Sequence, residues 1–490
     1  MNLKLIFISL GLLLTELLTA QDQTTELSLK QVIEIARMES PDAQTARHSF
    51  RSAYWNYKYY RANYLPSLSL TSDPNLNRAI NKITMGDGSV KFVEQNLLNT
   101  DLTLNLSQNL SWTGGSFFLE TSAQRMDLFS EHKYSWQTSP IMIGYRQSLF
   151  GYNSLKWDRR IEPVRYQEAK KSYVETLELV SANAINKFFA LATAQSDYDI
   201  ASFNYANANT LYRYAQGRYN IGTITENEML QLELNRLTEE TNRMNARIEM
   251  DNCMQELRSY LGIHEDRDLR VLVSPQVPDF SVNLNEALAL AYENSPDIQT
   301  MERRKLESES AVAKARANAG LKADIYLRFG LTQTADKLPE AYRNLLDQQY
   351  VSIGISLPIL DWGRGKGQVR VARSNRDLVY TQVEQSRTDF ELNVRKLVKQ
   401  FNLQTQRVRI AARTDETAQR RSEVARKLYL LGKSTILDLN ASISEKDSAR
   451  RNYISALYNY WSLYYTLRSM TLYDFERNTM LTEDYHLLIE

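Results

Sequence analysis

The feature that most restricts the fold is an internal duplication. The segment SPDAQT begins at Ser40, and SPDIQT begins at Ser295, about 255 residues later. Each follows a similar approach, LSLKQVIEIAR in the first copy and VNLNEALALAY in the second. A later pair, RYNIGTITENE around Gly222 and LYLLGKSTILD around Gly432, is separated by only about 210 residues. The chain is therefore predicted to be one structural unit written twice, with about 45 extra residues in the first copy.

The first twenty residues have the layout of a secretory signal. One lysine precedes an apolar run from Leu5 to Leu14, and small residues precede a cleavage point near Ala20. The run is shorter than the roughly 20 residues that a spanning helix needs, and no cysteine follows the cut to accept a lipid. We expect residues 1–20 to be removed and the exported chain to carry no N-terminal lipid.

The charge and cysteine content exclude some partners. The 59 basic and 58 acidic residues nearly cancel, which argues against binding to nucleic acid through bulk charge. The single cysteine, Cys253, cannot form an intrachain disulfide and is expected to be a small buried thiol.

Long stretches without glycine or proline predict long helices. Such stretches cover residues 164–216, 223–261, 368–431 and 433–490, and the third would be a rod of about 95 Å. Within it, a 3-4 spacing relates Phe390, Val394, Leu397, Phe401, Val408 and Ala411, with Gln404 in the one gap. A second apolar line contains Leu392, Leu403 and Ile410. Two apolar lines predict a helix that has neighbours on two sides.

Segments with alternating apolar residues predict β-strands of about ten residues with one apolar face. They lie at residues 64–72, 141–150, 321–333 and 350–360. Residues 101–125 read as a further hairpin that turns at Gly114 and Gly115, and the second copy lacks it. We predict a first repeat at 21–275, a second at 276–475 and a tail at 476–490.

Strands of this length suit an outer membrane, where spanning strands need roughly 9–11 residues. Four strands cannot close a barrel, and open edges in lipid leave backbone groups unpaired. Three chains would close a barrel of about 12 strands and continue it with their long helices. If the hairpin at 101–125 also spanned, the pore would have about 18 strands. We expect the hairpin instead to extend the sheet beyond the bilayer.

This combination resembles the outer-membrane efflux protein family, the TolC-type channels. The resemblance rests on the doubled SPD approach, on QSLF and LPIL before the long helices, and on the turns YNIG and YLLG. It implies a homotrimer with a β-barrel in the outer membrane of a Gram-negative bacterium and an α-helical barrel in the periplasm. It also implies a periplasmic adaptor and an inner-membrane pump as partners, and no cofactor or nucleic acid.

The resemblance also implies where the periplasmic tip lies. The turns and adaptor contacts would involve Tyr219, Gly222, Thr223, Leu431, Gly432 and Lys433. At the gate of the family, an acid bonds a tyrosine and an arginine, and the matching positions here are Glu228, Tyr429 and Ser434. Asp438 matches one acid of the entrance ring, whereas the position of a second acid is Ala441. The alternative for Glu228 and Asp438 is an acid favoured at a helix N-terminus.

Nothing in the sequence predicts an enzyme, a catalytic site or a metal site. The four histidines have no metal-ligand spacing, and Trp112 to Gly115 is a turn signal only. Clustered aromatic residues near the C-terminus are expected to pack helices: Tyr458, Tyr460, Trp461, Tyr464 and Tyr465. The alternative function is an exported coiled-coil scaffold or adhesin without a pore.

Overall fold

The computed structural model describes residues 25–265, 268–431 and 433–489, so the predicted signal segment lies outside the described residues. The helices are α1 (Leu29–Glu39), α2 (Pro41–Ala62), α3 (Ser154–Asn220), α4 (Glu226–Leu261), α5 (Leu284–Asn294), α6 (Pro296–Ala319), α7 (Arg364–Asn402), α8 (Gln404–Leu430) and α9 (Ile436–Thr471). The strands are β1 (Thr25–Ser28), β2 (Ser67–Thr71), β3 (Asn75–Thr84), β4 (Val90–Asn109), β5 (Ser116–Leu128), β6 (Lys133–Ser148), β7 (Leu269–Leu272), β8 (Lys322–Ala335), β9 (Leu346–Ser356), β10 (Tyr473–Asp474) and β11 (Thr479–Met480). Across the described ranges, every helix is too short or too polar to cross a membrane.

The chain forms two compact units. The helical unit contains the described residues of Met1–Arg51, Ala169–Ile298 and Thr388–Glu490. The sheet unit contains Ser52–Glu168 and Gln299–Arg387. In the helical unit, β1 and β7 pair in parallel, so the segment that precedes α1 lies beside a strand near the end of the first copy.

The two SPD segments are helix starts, as predicted. Helices α2 and α6 begin directly after Ser40 and Ser295. The Oγ atom of Ser40 accepts the backbone N–H of Ala43 at 3.1 Å, and the Oγ atom of Ser295 accepts that of Asp297 at 3.2 Å. Both serines are fully buried. Each hydroxyl therefore satisfies an N–H group in the first turn of its helix.

The long helices form, but one of them is interrupted. Helix α3 has 67 residues and α4 has 36. The unbroken helix predicted for residues 368–431 is wrong, because α7 ends at Asn402 and α8 begins at Gln404. Between them, the N–H group of Leu403 donates to the carbonyl of Gln400 at 3.3 Å, three residues back. This tighter turn replaces one α-helical hydrogen bond.

Only one of the two predicted apolar lines on α7 and α8 is covered within a chain. The first line is buried, and it includes Val394, Phe401 and the gap residue Gln404. The second line remains exposed, with Leu392 57%, Leu403 52% and Ile410 58% accessible. A stable helix with an exposed apolar line has a further surface available for packing.

The core of the helical unit contains a buried network of charges. Glu178 on α3 is fully buried and accepts hydrogen bonds from Arg37 at 2.6 Å and from Arg468 at 2.7 and 3.1 Å. Arg468 also donates to Asp474 at 2.8 Å, and Arg37 donates to Glu483 at 2.7 Å. The network joins α1, α3, α9 and the C-terminal tail.

The sheet unit contains an antiparallel sheet of seven strands. The order is β2-β4-β5-β6-β8-β9. Strand β2 pairs with residues 103–107 of β4, and β3 pairs with residues 90–99 of the same strand. Strands β2 and β3 therefore follow one another along a single edge of β4. The opposite edge of the sheet is β9.

The sheet contains three strands in addition to the four segments predicted to span the membrane. The four predicted segments do form β2, β6, β8 and β9, with shifted ends. The hairpin predicted at 101–125 also forms, as β4 and β5, and it lies between β2 and β6 in the sheet. Strand β3 was not predicted at all. Alternation of apolar residues indicates which face a side chain takes, but it does not indicate which strands become neighbours.

Candidate functional site

The first glycine turn has the geometry that the sequence predicts. Gly222 has a φ of +74°, a conformation that side-chain-bearing residues rarely adopt. Its N–H group donates to the carbonyl of Tyr219 at 2.8 Å, and that of Thr223 donates to Arg218 at 2.9 Å. These bonds satisfy the last carbonyls of α3 and reverse the chain into α4.

The second turn repeats one of these bonds. The N–H group of Lys433 donates to the carbonyl of Leu428 at 2.8 Å, five residues back, as Thr223 does to Arg218. The N–H group of Leu431 donates to Lys427 at 3.1 Å. Gly432 itself lies outside the described residues.

The two candidate acids of the entrance both cap helices. The carboxylate of Glu228 accepts the N–H and hydroxyl of Thr225 at 2.8 and 3.1 Å, and the Thr225 hydroxyl accepts the N–H of Glu228 at 3.3 Å. Asp438 makes the same capping box with Thr435, and the hydroxyl of Ser434 also donates to Asp438, at 3.4 Å.

These caps change the acidity of both carboxyl groups. The backbone N–H and the hydroxyl of Thr225 hold the pKa of Glu228 below its usual value. The hydroxyl and the backbone N–H of Thr435 lower the pKa of Asp438 in the same way. Both side chains are exposed and remain ionised at neutral pH, so they place negative charge at the N-terminal ends of α4 and α9. The gate contact between Glu228 and Tyr429 remains a prediction.

Apolar residues at the turns are strongly exposed, and two of them, Ile221 and Leu437, were not among the residues predicted for the tip. Ile221 and Leu431, the residues before the two glycines, are 73% and 69% exposed. Leu437, in the first turn of α9, is 77% exposed. Ile221 occupies the place in the first turn that the predicted residue Leu431 has in the second, so the alignment of the repeats could have identified Ile221. We call these three residues the tip apolar residues.

A cleft of about 910 Å³ lies in the helical unit, between α3, α8, α9 and the segment after β7. Its wall contains the buried Asp415, which accepts hydrogen bonds from Gln419 at 3.0 Å and from Arg450 at 3.2 Å. Tyr429 also lines this cleft. The Nζ atom of Lys446 lies 4.7 Å from the ring centre of Phe203. Arg450 and Lys446 therefore have an acidic and an aromatic partner, respectively, from the same chain.

Glu175 of α3 and Asp297, at the start of α6, form a pH-sensitive pair. Burial, with a smaller effect from the charge of Asp297, raises the pKa of Glu175 to about 7, and burial also raises the pKa of Asp297. A carboxyl group with a raised pKa stabilises the fold below its unfolded pKa and loses that contribution as pH rises through the folded value. We expect stability to fall by up to ~3 kcal/mol from this group between about pH 4.5 and 7.

The variant Glu175→Gln should remove most of that pH dependence, because the amide stays neutral. Thermal unfolding of the two proteins at pH 5 and pH 8 measures the effect, with the exposed Glu34→Gln as a control. Equal pH dependence in wild type and Glu175→Gln would contradict the prediction.

One face of the seven-stranded sheet is mostly apolar and the other is mostly polar. Side chains alternate along each strand, and the exposed apolar set comprises Leu68 and Leu70 of β2, Leu102, Leu104 and Leu106 of β4, Phe117 and Leu119 of β5, Ile141 and Ile143 of β6, Phe329 of β8, and Val351, Ile353 and Ile355 of β9. The intervening positions on β2 and β4 are serine, threonine and asparagine. Such a division suits lipid on one side and water on the other.

The polar face carries contacts between strands of both copies of the duplication. Arg328 of β8 lies 3.4 Å from Glu120 of β5. The rings of Phe118 and Tyr326 stack with their centres 5.8 Å apart. A side chain at Gly144, between them on β6, would collide with the Phe118 ring. Glycine therefore provides the space in which β5 and β8 side chains meet across β6.

The turn between β4 and β5 is fixed to the strand–helix junctions. The side-chain amide of Asn109 donates to the carbonyl of Asn63 at 3.0 Å, at the end of α2. The amide of Gln147 donates to Thr113 at 2.9 Å, and that of Asn153 donates to Ser111 at 3.1 Å, next to the start of α3. The turn therefore lies at the same end of the sheet as the end of α2 and the start of α3.

Comparison with known proteins gives one match to a family model. The model described as "Outer membrane efflux protein" matches residues 32–263 and 287–471, which together are well over half of the chain. The two matched segments correspond to the two copies of the duplication.

Individual relatives agree with that match. The chain is 24% identical over 451 residues to "Toxin and drug export protein A" of Aggregatibacter actinomycetemcomitans, covering 86% of this chain and 94% of that protein. Among solved structures, the CmeC outer membrane channel of Campylobacter jejuni has a TM-score of 0.68 at 15% identity, covering 94% of this chain and 88% of that one. The outer membrane protein VceC of Vibrio cholerae has a TM-score of 0.63 at 15% identity, covering 90% and 95%. These two structures share the fold.

Proposed function

This chain belongs to the outer membrane efflux protein family, and from that premise we propose that it forms a homotrimeric channel through the outer membrane of a Gram-negative bacterium. Its partners are a periplasmic adaptor and an inner-membrane pump, which delivers the exported substrates. The helical unit extends into the periplasm.

The observation that carries the proposal is the sheet with one apolar face and two open edges. The edges are β9 on one side and β2 with β3 on the other. Unpaired backbone groups in hydrocarbon cost several kcal/mol each, so a membrane sheet has to close. Pairing of β9 with the β2–β3 edge of the next copy repeats head to tail and closes a ring.

Exposed apolar stripes on the helices support the same assembly. On α4, a 3-4 spacing relates the exposed residues Leu230, Leu234, Leu237, Met244 and Ile248. The exposed second line of α7 and α8 is the other stripe. Each copy therefore has two unlike apolar surfaces, as a ring of identical chains requires. We propose that the α4 stripe of one copy packs on the α7–α8 line of the next.

The tip apolar residues are proposed to contact the adaptor. They project from the turns that end the long helical hairpins, and they are more exposed than most large apolar residues of the chain. An exposed apolar group at a fixed turn is typical of a protein-binding surface. Glu228, Tyr429, Ser434 and Asp438 remain the candidate gate residues beside it.

The decisive experiment combines native mass spectrometry with recordings in planar bilayers. We expect the purified mature protein to have the mass of three chains and to give stepwise ion conductance. Co-purification of an adaptor and a pump from membranes would identify the system. An exported scaffold without a pore would give no conductance, and migration in SDS gels would not change on heating.

The α4 stripe can be tested by Leu234→Arg. A charge forced into the proposed interface should weaken association at least about tenfold, or by more than ~1.4 kcal/mol. Asn242→Arg, an exposed position about a quarter turn away on the same helix, is the matched control and should still form trimers. Unchanged trimer content in Leu234→Arg, measured by native mass spectrometry, would show that this stripe is not an interface.

The gate can be tested by pairs of variants. Glu228→Ala with Tyr429→Ala should raise single-channel conductance while trimers still form, because neither residue lies in a strand or the buried seam. The second pair, Glu228→Gln with Tyr429→Phe, keeps a glutamine that can complete the capping box. If the single-channel conductance also rises in this pair, its cause is the loss of the gate contact and not the loss of the helix cap. Unchanged conductance and cation preference in both pairs would place the gate elsewhere.

A further inference from the structure

The additional hairpin of the first copy occupies the centre of the sheet. Strand β4 pairs with β2 through residues 103–107 and with β5 through residues 97–109. Strand β5 in turn pairs with β6 from Ser116 to Leu128, with one irregularity near Glu120. Removing the hairpin would leave a gap of two strands between β2 and β6.

The apolar face continues through the hairpin without a break. Leu106 of β4 is paired with Leu119 of β5, Leu119 with Ile143 of β6, and Ile143 with Phe329 of β8. All four side chains are exposed in one chain, at 38%, 40%, 53% and 44% respectively. The hairpin therefore presents apolar side chains at the same level as the strands on either side.

The hairpin strands are also long enough to cross a bilayer. Strand β5 has 13 residues and β4 has 20, whereas a tilted spanning strand needs about 9–11. The β4–β5 turn is bonded to the end of α2 and to the residues before α3. The hairpin thus begins at the helix end of the sheet and extends along its full height.

We propose that each chain contributes six spanning strands, so that the trimer closes a barrel of eighteen strands. The six positions are β2 with β3, then β4, β5, β6, β8 and β9. The lipid faces the leucine-rich side of the hairpin, and the β9 edge pairs with the β2–β3 edge of the next copy. This inference rests on the proposed trimeric channel and replaces the expectation of about 12 strands with a different strand number.

The additional strands widen the exit. Barrel diameter grows roughly in proportion to strand number, so eighteen strands give a barrel about 1.5 times as wide as twelve. Barrels of 16–18 strands enclose an aqueous channel. The exit through the outer membrane is then lined by the polar side of β4 and β5 in addition to that of β6, β8 and β9.

Site-directed spin labels test the position of the hairpin. The native Cys253 is first replaced by serine, and single cysteines are introduced at Leu106, Leu119, Ile143 and Thr103. Trimers in lipid are exposed to oxygen, which enriches in hydrocarbon, and to a nickel chelate, which stays in water. We expect the labels at Leu106 and Leu119 to match Ile143 of β6 in favouring oxygen, and the label at Thr103, on the polar face of β4, to favour the chelate.

The controls separate this inference from the proposed function. If Leu106 and Leu119 favour the chelate while Ile143 favours oxygen, the hairpin lies outside the bilayer and the inference fails alone. If Ile143 also favours the chelate, the sheet is not in a membrane and the proposed channel fails. Electron cryomicroscopy of unlabelled trimers needs no variant: eighteen strands at the bilayer midplane support the inference, and twelve overturn it.

Discussion

Replacing Glu178 with alanine is expected to lower the free energy of unfolding by about 3–5 kcal/mol, because it breaks a buried network of charges. The carboxylate is fully buried and accepts three hydrogen bonds from the guanidinium groups of Arg37 and Arg468. Without the Glu178 carboxylate, Arg37 still bonds to Glu483 and Arg468 still bonds to Asp474, but both guanidinium groups lose their shared buried partner. The uncompensated positive charge in the core causes the loss.

The matched control is an exposed ion pair on the same unit. Lys30 and Glu34 lie 3.9 Å apart on α1, with their side chains largely exposed, so Lys30→Ala should cost no more than about 1 kcal/mol. Chemical unfolding in detergent, followed by circular dichroism, measures both variants. If Glu178→Ala is as stable as Lys30→Ala, the network does not hold the helical unit together.

A charge on the apolar face of the hairpin is expected to have the second largest effect. Leu119→Arg should destabilise the inserted protein by roughly 2–4 kcal/mol, the cost of an arginine near the middle of the lipid face of a barrel. The strand would keep its pairing with β4 and β6, so the loss comes from the lipid environment. Thr103→Arg, on the opposite face of the neighbouring strand, should be tolerated because its side chain meets water.

Urea unfolding of the protein inserted in lipid vesicles measures this difference. The same variants in a detergent micelle provide a second comparison, since the looser micelle should reduce the penalty for Leu119→Arg. Equal stability of Leu119→Arg and Thr103→Arg in vesicles would contradict a spanning hairpin.

Local structure could be predicted from the sequence where the atoms that determine it are close together along the chain. The helix starts at Ser40 and Ser295 depend on a hydroxyl and an amide two or three residues apart. The turn at Gly222 depends on a single backbone conformation. These features follow from local stereochemistry, and the structure confirms them.

The order of the strands in the sheet could not be predicted in the same way. Alternation predicted the β4–β5 hairpin, yet its place beside β2 and β6 depends on pairing partners up to about 40 residues away. Strand β3 has only scattered apolar residues, such as Leu76 and Ile80, and pairs with the long end of β4. Its formation requires β4 to be present already.

The candidate gate illustrates a second limit of sequence reasoning. An acid three residues after Thr225 satisfies both the family pattern and the capping box of α4. The same coincidence occurs at Asp438 after Thr435. Local capping accounts for both acids within one chain, and a structure of the assembled tip tests the proposed gate contacts.

The hairpin between β2 and β6 also bears on how such channels can vary. An inserted pair of antiparallel strands returns the chain to the side from which it left, so β6 still delivers the chain to the start of α3. A single inserted strand would reverse the direction of everything that follows it. Strand number in this architecture can therefore change only in steps of two per chain, or six per ring of three, and each step leaves the topology of the helices intact.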